Sequence, residues 1–207
     1  MHTIVYVDGF NLYYGVVKDT PYKWLDLSKM CELLLPPNDI QQIKYFTARV
    51  TARQNDPNQP TRQETYLRAL RTSTILEIIF GHFLTNTVYL ARADGKGFER
   101  VVKTEEKGSD VNIATHLLCD AFQANFEVGV LITNDSDLAE PVRIVSQELG
   151  LKVGVLSPVC RGRRRPSREL LKHATFTKRI REGVLKASQF ADPLSDTIGQ
   201  IHKPVSW

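Results

Sequence analysis

No apolar run in this 207-residue chain approaches the roughly 18 consecutive residues that a membrane-crossing helix needs, so no membrane association is expected. The short run at residues 4–7 has no basic stretch before it and stops at Asp8, so it does not read as a secretory signal. Cysteine is scarce. Cys31, Cys119 and Cys160 are odd in number, far apart, and form no CxxC pair, which argues against a disulfide framework and a zinc cluster. A reducing cytoplasm is the expected compartment. The chain contains neither GxGxxG nor GxxxxGK[ST], so dinucleotide and P-loop chemistry lack support. It has no Gly-x-Ser-x-Gly and no Cys/His arrangement for nucleophilic hydrolysis. No internal repeat or low-complexity segment is visible.

What is present supports a sizeable core: 42% of residues are hydrophobic and 24% charged, the proportions of a globular chain. One principal domain is expected over residues 1–185. Residues 186–207 have scattered apolar positions and no clear period, and read either as a tail or as a segment docking through Ile201 and Trp207. The net charge is only +4, but the basic residues are clustered. Arg161, Arg163, Arg164, Arg165 and Arg168 fall within eight positions, and Arg49, Arg53, Arg62, Arg68 and Arg71 form a second group. Such a cluster suits a polyanionic substrate, although a solvated loop would look the same.

Strand-like and helix-like segments alternate. Strands are expected at residues 3–7, 43–50, 75–84, 128–133 and 151–156. Helices are expected at 27–35 (Asp26 as N-cap), 61–72, 109–125 (Ser109 as N-cap), 137–149 and from 167 onward. Residues 94–97, Asp-Gly-Lys-Gly, read as an exposed hairpin tip between short strands at 88–90 and 100–103. The alternation predicts an α/β fold, a three-layer α/β/α sandwich with a mostly parallel central sheet.

Two acidic signatures end predicted strands: Asp8 after residues 4–7, and Asp135 with Asp137 after residues 128–132. Asp110 stands in the first turn of a predicted helix. Ligands of open α/β sheets bind beyond the carboxyl ends of the strands, which aims all four carboxylates at one place. At an effective dielectric near 20, two carboxylates about 4 Å apart repel by roughly 4 kcal/mol. Hard cations relieve this, so Mg²⁺ or Mn²⁺ is the expected cofactor, with Asp8, Asp110, Asp135 and Asp137 as catalytic residues and metal ligands. Asn11, Lys107 and Ser136, with Arg161, Arg163, Arg164 and Arg165, are expected to contact phosphate. Each acidic signal has a bland alternative as a turn or a helix cap; their agreement at one sheet edge carries the reading. Tyr13, Tyr14 and Trp24 could stack on bases or pack in the core.

The succession Val5-Tyr6-Val7-Asp8-Gly9-Phe10-Asn11, then Lys107-Gly108-Ser109-Asp110-Val111, then Thr133-Asn134-Asp135-Ser136-Asp137-Leu138 resembles NYN domains of the LabA-like kind, which are PIN-like, metal-dependent ribonuclease domains. The resemblance spans about residues 1–158. It implies a PIN-like fold and Mg²⁺- or Mn²⁺-dependent cleavage of RNA, with Asp8, Asp110, Asp135 and Asp137 as the acidic centre and Asn11 and Ser136 as polar neighbours. One position departs: where many relatives carry a further acid, six residues after Asp110, this chain has His116. Asp120, one turn later, either compensates or is an ordinary exposed acid.

The expected activity is therefore endonucleolytic hydrolysis of single-stranded RNA by a metal-activated water. A non-catalytic RNA-binding or assembly module of the same fold stays open, as does a homo-oligomer. A TOPRIM-type site shares the Asp-x-Asp but wants a Glu where Asp8 stands. A haloacid-dehalogenase-type phosphatase wants an Asp where Phe10 stands.

Overall fold

The computed structural model describes residues 1–159 and 165–207. Its centre is a six-stranded, all-parallel sheet of order β3-β2-β1-β6-β7-β8. These strands are β1 (His2–Asp8), β2 (Asp39–Thr47), β3 (Leu76–Phe80), β6 (Val128–Ile132), β7 (Lys152–Ser157) and β8 (Phe176–Arg179). A separate antiparallel ribbon, β4 (His82–Ala91) with β5 (Phe98–Lys107), stands apart from the sheet. A small pair, β9 (Leu194–Ser195) and β10 (Gln200–Ile201), lies near the end of the chain. The helices are α1 (Gly9–Leu12), which runs on as a wider π-type turn over Tyr13–Val17, α2 (Leu27–Leu34), α3 (Gln59–Leu70), α4 (Ser109–Phe122), α5 (Ala139–Arg143), α6 (Arg168–His173) and α7 (Glu182–Ala187). None of the described helices is long and apolar enough to cross a membrane.

The period-2 alternation of β1 assigns its side chains to two cores. Val5 and Val7 join Leu12, Leu27, Met30, Leu67 and Leu70 on the side of α1, α2 and α3. Ile4 and Tyr6 join Ile113, Leu117, Val142 and Leu170 on the side of α4, α5 and α6. Helices cover both faces, so the three-layer α/β/α expectation holds, and the central strands read as continuous apolar runs because neither face meets water.

Several boundaries differ from the sequence reading. Residues 75–84, expected as one strand, are divided at Gly81 between β3 and β4. The Gly81 N–H donates to the Thr47 carbonyl (2.8 Å), and a Cβ there would lie 2.6 Å from the Lys107 carbonyl. The close approach that turns the chain out of the sheet excludes any side chain. The hairpin is longer than expected, with ten residues in each strand. Ser109 is not the cap of α4. Gly108 occupies that position at φ +98°, and Glu106 reaches forward to accept from the Ser109 backbone N–H (3.2 Å) and hydroxyl (2.8 Å). The expected helix over 137–149 is a 3₁₀ turn (Ser136–Leu138), then α5, then a π-type turn (Ile144–Glu148).

Near the end of the chain, Ile201 is buried in a small third cluster with Trp24 and Ala69. Trp207 lies 6.3 Å from Trp24 and 5.9 Å from Tyr66, ring centre to ring centre. Asp196 accepts two hydrogen bonds from the Arg68 guanidinium (2.7 and 2.6 Å). The segment is thus fastened over α3.

Candidate active site

β1 and β6 are neighbours in register, with Val7 opposite Ile132, so the residues that follow them emerge side by side at the carboxyl edge of the sheet. Asp8 ends β1 and caps α1. Its Oδ1 accepts from the Asn11 backbone N–H (2.9 Å) and its Oδ2 from the Asn11 amide (2.8 Å). From β6 the Thr133 hydroxyl adds a third hydrogen bond to Oδ2 (3.1 Å). Asp8 is only 3% exposed. Burial pushes its carboxyl up, the bonds from Asn11 and Thr133 pull it back, and the nearby Asp135 raises it further. The Asn11 amide oxygen also accepts from the Asn134 N–H (3.3 Å). Asn11 therefore braces two loops in addition to any contact it makes with phosphate.

Asp135 caps the 3₁₀ turn by accepting from the Asp137 N–H (3.0 Å), and its own N–H donates to the Thr133 hydroxyl (3.1 Å). Ser136 and Asp137 are exposed. Asn134 holds the loop beyond β7, donating to the Arg165 carbonyl (3.1 Å) and accepting from the Ser167 N–H (2.8 Å). Asp110, half-buried in the first turn of α4, faces the others. Its carboxyl is pushed up to about 6, first by burial and then by the charges of Asp8, Asp135, Glu106 and Asp137. Four sequence-predicted carboxylates thus act electrostatically on one another, and Glu106 adds a fifth that the sequence reading missed. Its signal was its place three residues before Ser109, within reach of the helix start.

Other expected residues lie elsewhere. Lys107 is exposed and pairs with Glu105 (3.3 Å). Arg165 is exposed and meets the site through its backbone. Arg161, Arg163 and Arg164 lie outside the described residues. Trp24 is buried at 1% exposure, so it cannot stack on a base; Tyr14 is exposed, with Lys18 over its ring at 5.2 Å.

Asp120 is neither an exposed acid nor a member of the acidic centre. It is buried against Lys44 (2.6 Å), the Tyr6 hydroxyl (2.6 Å) and the Asn125 amide (3.1 Å). Burial would raise its carboxyl, but these partners hold it below the usual carboxylate range. His116 packs edge-on against Phe46 (5.6 Å) and lies 3.4 Å from the Lys44 amine. Both residues belong to this buried network under α4.

Among the described residues no three His, Cys, Asp or Glu side chains close around a point that would enclose an ion on their own. The donor set is nonetheless carboxylate oxygen throughout, and the Asp110 carboxyl is elevated by burial and by the surrounding charges. This fits a Mg²⁺-type ion, which keeps several waters and takes one or two carboxylates.

The sequence profile of the NYN domain matches residues 2–179. This chain belongs to the NYN family. A relative among characterised proteins, the 6-hydroxy-3-succinoylpyridine 3-monooxygenase HspA of Pseudomonas putida, is 30% identical over an alignment covering all of this chain and 75% of that protein. Among solved structures, a protein of unknown function from Vibrio parahaemolyticus superposes with a TM-score of 0.57 at 20% identity, covering 87% of this chain and 93% of that one; at that identity the likeness concerns the fold alone. The NYN assignment agrees with the acidic sheet edge, whereas the name of the Pseudomonas relative points to other chemistry.

Proposed function

We propose that this NYN protein is a Mg²⁺- or Mn²⁺-dependent endoribonuclease acting on single-stranded RNA. The observation that carries the reading is the mutual influence of Asp8, Asp110, Asp135, Asp137 and Glu106 beside the ends of β1 and β6, with the Asp110 carboxyl raised to about 6 first by burial and then by the charges of the other four. Uncompensated carboxylates of this kind are retained where a cation and a phosphate are to be handled. A divalent ion bound here would supply a water of lowered pKa and positive charge beside the scissile phosphate. Asp8 and Asp135 would hold the ion, Asp110 and Asp137 would hold its waters, and Asn11 and Thr133 fix the Asp8 carboxylate. Arg165 and the preceding arginines would hold the flanking phosphates.

The test is a gel assay on labelled single-stranded RNA with Mn²⁺, Mg²⁺ or EDTA. Asp135→Asn should abolish cleavage and leave the fold intact, since Asp135 lies at the rim of the core. Undiminished cleavage by Asp135→Asn removes that residue from the centre. RNA binding that persists in EDTA, with no turnover in either metal, favours the non-catalytic module.

A second reading is carried by the match to HspA, which covers all of this chain and 75% of that protein: oxygenation of a hydroxypyridine. Oxygen uptake with 6-hydroxy-3-succinoylpyridine and NADH, absent when either is omitted, would establish it over the nuclease reading.

A further inference from the structure

A cavity of about 100 Å³ opens beside the acidic edge, on the α1 side of the sheet. Its walls are largely aromatic: Phe10, Tyr13, Tyr14, Tyr45, Tyr66 and Trp207. Gly9, the residue after Asp8, forms part of its lining, and Thr47 closes the sheet side. The wall nearest the centre is tight. A Cβ on Gly9 would lie 2.8 Å from the Tyr45 hydroxyl, and burial first, with a smaller contribution from the Asp8 charge, raises the Tyr45 phenol. The cavity and the carboxylates are therefore contiguous.

Its polar lining includes Lys23, Thr47, Gln59, Gln63 and the tyrosine hydroxyls. The Tyr66 hydroxyl donates to the Leu25 carbonyl (2.8 Å), and the Gln63 amide bridges the Val50 N–H (2.9 Å) and the Ala48 carbonyl (2.8 Å). These groups serve the protein. The Gln59 side chain also lines the cavity, half-buried, and no hydrogen bond within the described residues engages it. A carboxamide offers a donor and an acceptor side by side, the complement of the edge of a ring that carries adjacent N–H and C=O groups. The volume is smaller than the about 150 Å³ of a closed apolar cavity that accommodates benzene, so the open mouth of this one admits at most a single six-membered ring.

We infer that this cavity is a subsite for the single-ring nucleobase uracil, next to the bond to be cut, with Gln59 reading the base edge. The inference rests on the ribonuclease reading for its substrate, while the cavity itself does not depend on that reading. A two-ring purine exceeds the space.

The experiment titrates the intact protein with uridine 5′-monophosphate and with adenosine 5′-monophosphate, in EDTA, following quenching of tryptophan fluorescence, because Trp207 forms part of the wall. The uridine nucleotide should bind at least about tenfold more tightly. Val50→Trp, which fills the cavity, and Tyr13→Ala, which removes one wall, should each reduce that preference to within about twofold. Gln59→Leu should weaken uridine binding and leave adenosine binding as it was. Equal binding of the two nucleotides by the wild type, or a preference untouched by both Val50→Trp and Tyr13→Ala, overturns the inference. The two readings fail separately. RNA cleavage with no uridine preference removes the subsite and keeps the nuclease, whereas nucleotide preference without RNA cleavage keeps the subsite and removes the nuclease.

Discussion

Replacing Asp110 by Asn should make the metal-free protein more stable at pH 8. In the folded protein the Asp110 carboxyl is raised from 3.8 to about 6, a difference of about 3 kcal/mol in favour of the protonated form. The group is half-buried, and solvent screening reduces this to roughly 1–2 kcal/mol. The sign follows from linkage. A carboxyl that holds its proton more tightly in the native state than in the unfolded chain contributes stability below the unfolded value, and that contribution is lost as pH rises through the folded value. Wild-type protein in EDTA should therefore lose this increment between about pH 4 and 7. Asp110→Asn cannot ionise and should keep it. For a chain of this length the variant should melt roughly 2–8 °C higher at pH 8 and match the wild type near pH 4. Millimolar Mg²⁺ should reverse the order, because an ion bound only by the native state stabilises the wild type more than the variant. Thermal unfolding followed by circular dichroism at the two pH values, with EDTA or Mg²⁺, measures all four terms. Equal melting temperatures at pH 8 in EDTA would refute the claim that burial and the neighbouring carboxylates together disfavour the Asp110 charge.

Lys44→Met should destabilise the protein by about 3–5 kcal/mol, because it strands the Asp120 charge under α4; urea unfolding reads this, and Lys44→Met combined with Asp120→Leu should recover most of the loss. No recovery would mean that Lys44 acts through packing rather than by pairing. Replacing Arg163, Arg164 and Arg165 with Ala should weaken RNA binding and flatten its salt dependence by up to roughly 0.7 per lost phosphate contact. A slope equal to that of the wild type would make this run a bystander.

The layers and the sheet edge were legible because they depend on local pattern. Residues 128–132 are apolar throughout since both faces of β6 are covered, and Asp8 falls where the apolar run of β1 ends. Long-range partners were not legible. Asp120 looks like any surface acid in a helix until β2 brings Lys44 beneath it, and nothing near either residue announces the pair. Gly81 was read through because the residues on both sides are β-branched or aromatic; the need for glycine comes from the Lys107 carbonyl, which returns from 26 positions away. Trp24, by contrast, is claimed by rings from the distant Phe190 and Trp207.

The place of β1 between β2 and β6 has a bearing on synthesis. Val5 pairs with Ile43 on one flank and with Val130 on the other, so one flank of the strand is completed early and the other only after most of the chain has been translated. A nascent polypeptide held on the ribosome short of β6 carries Asp8 and Asp110 but lacks Thr133, Asp135 and Asp137. The acidic edge is therefore completed only late in translation, and its closure belongs to the slow pairings typical of parallel sheets.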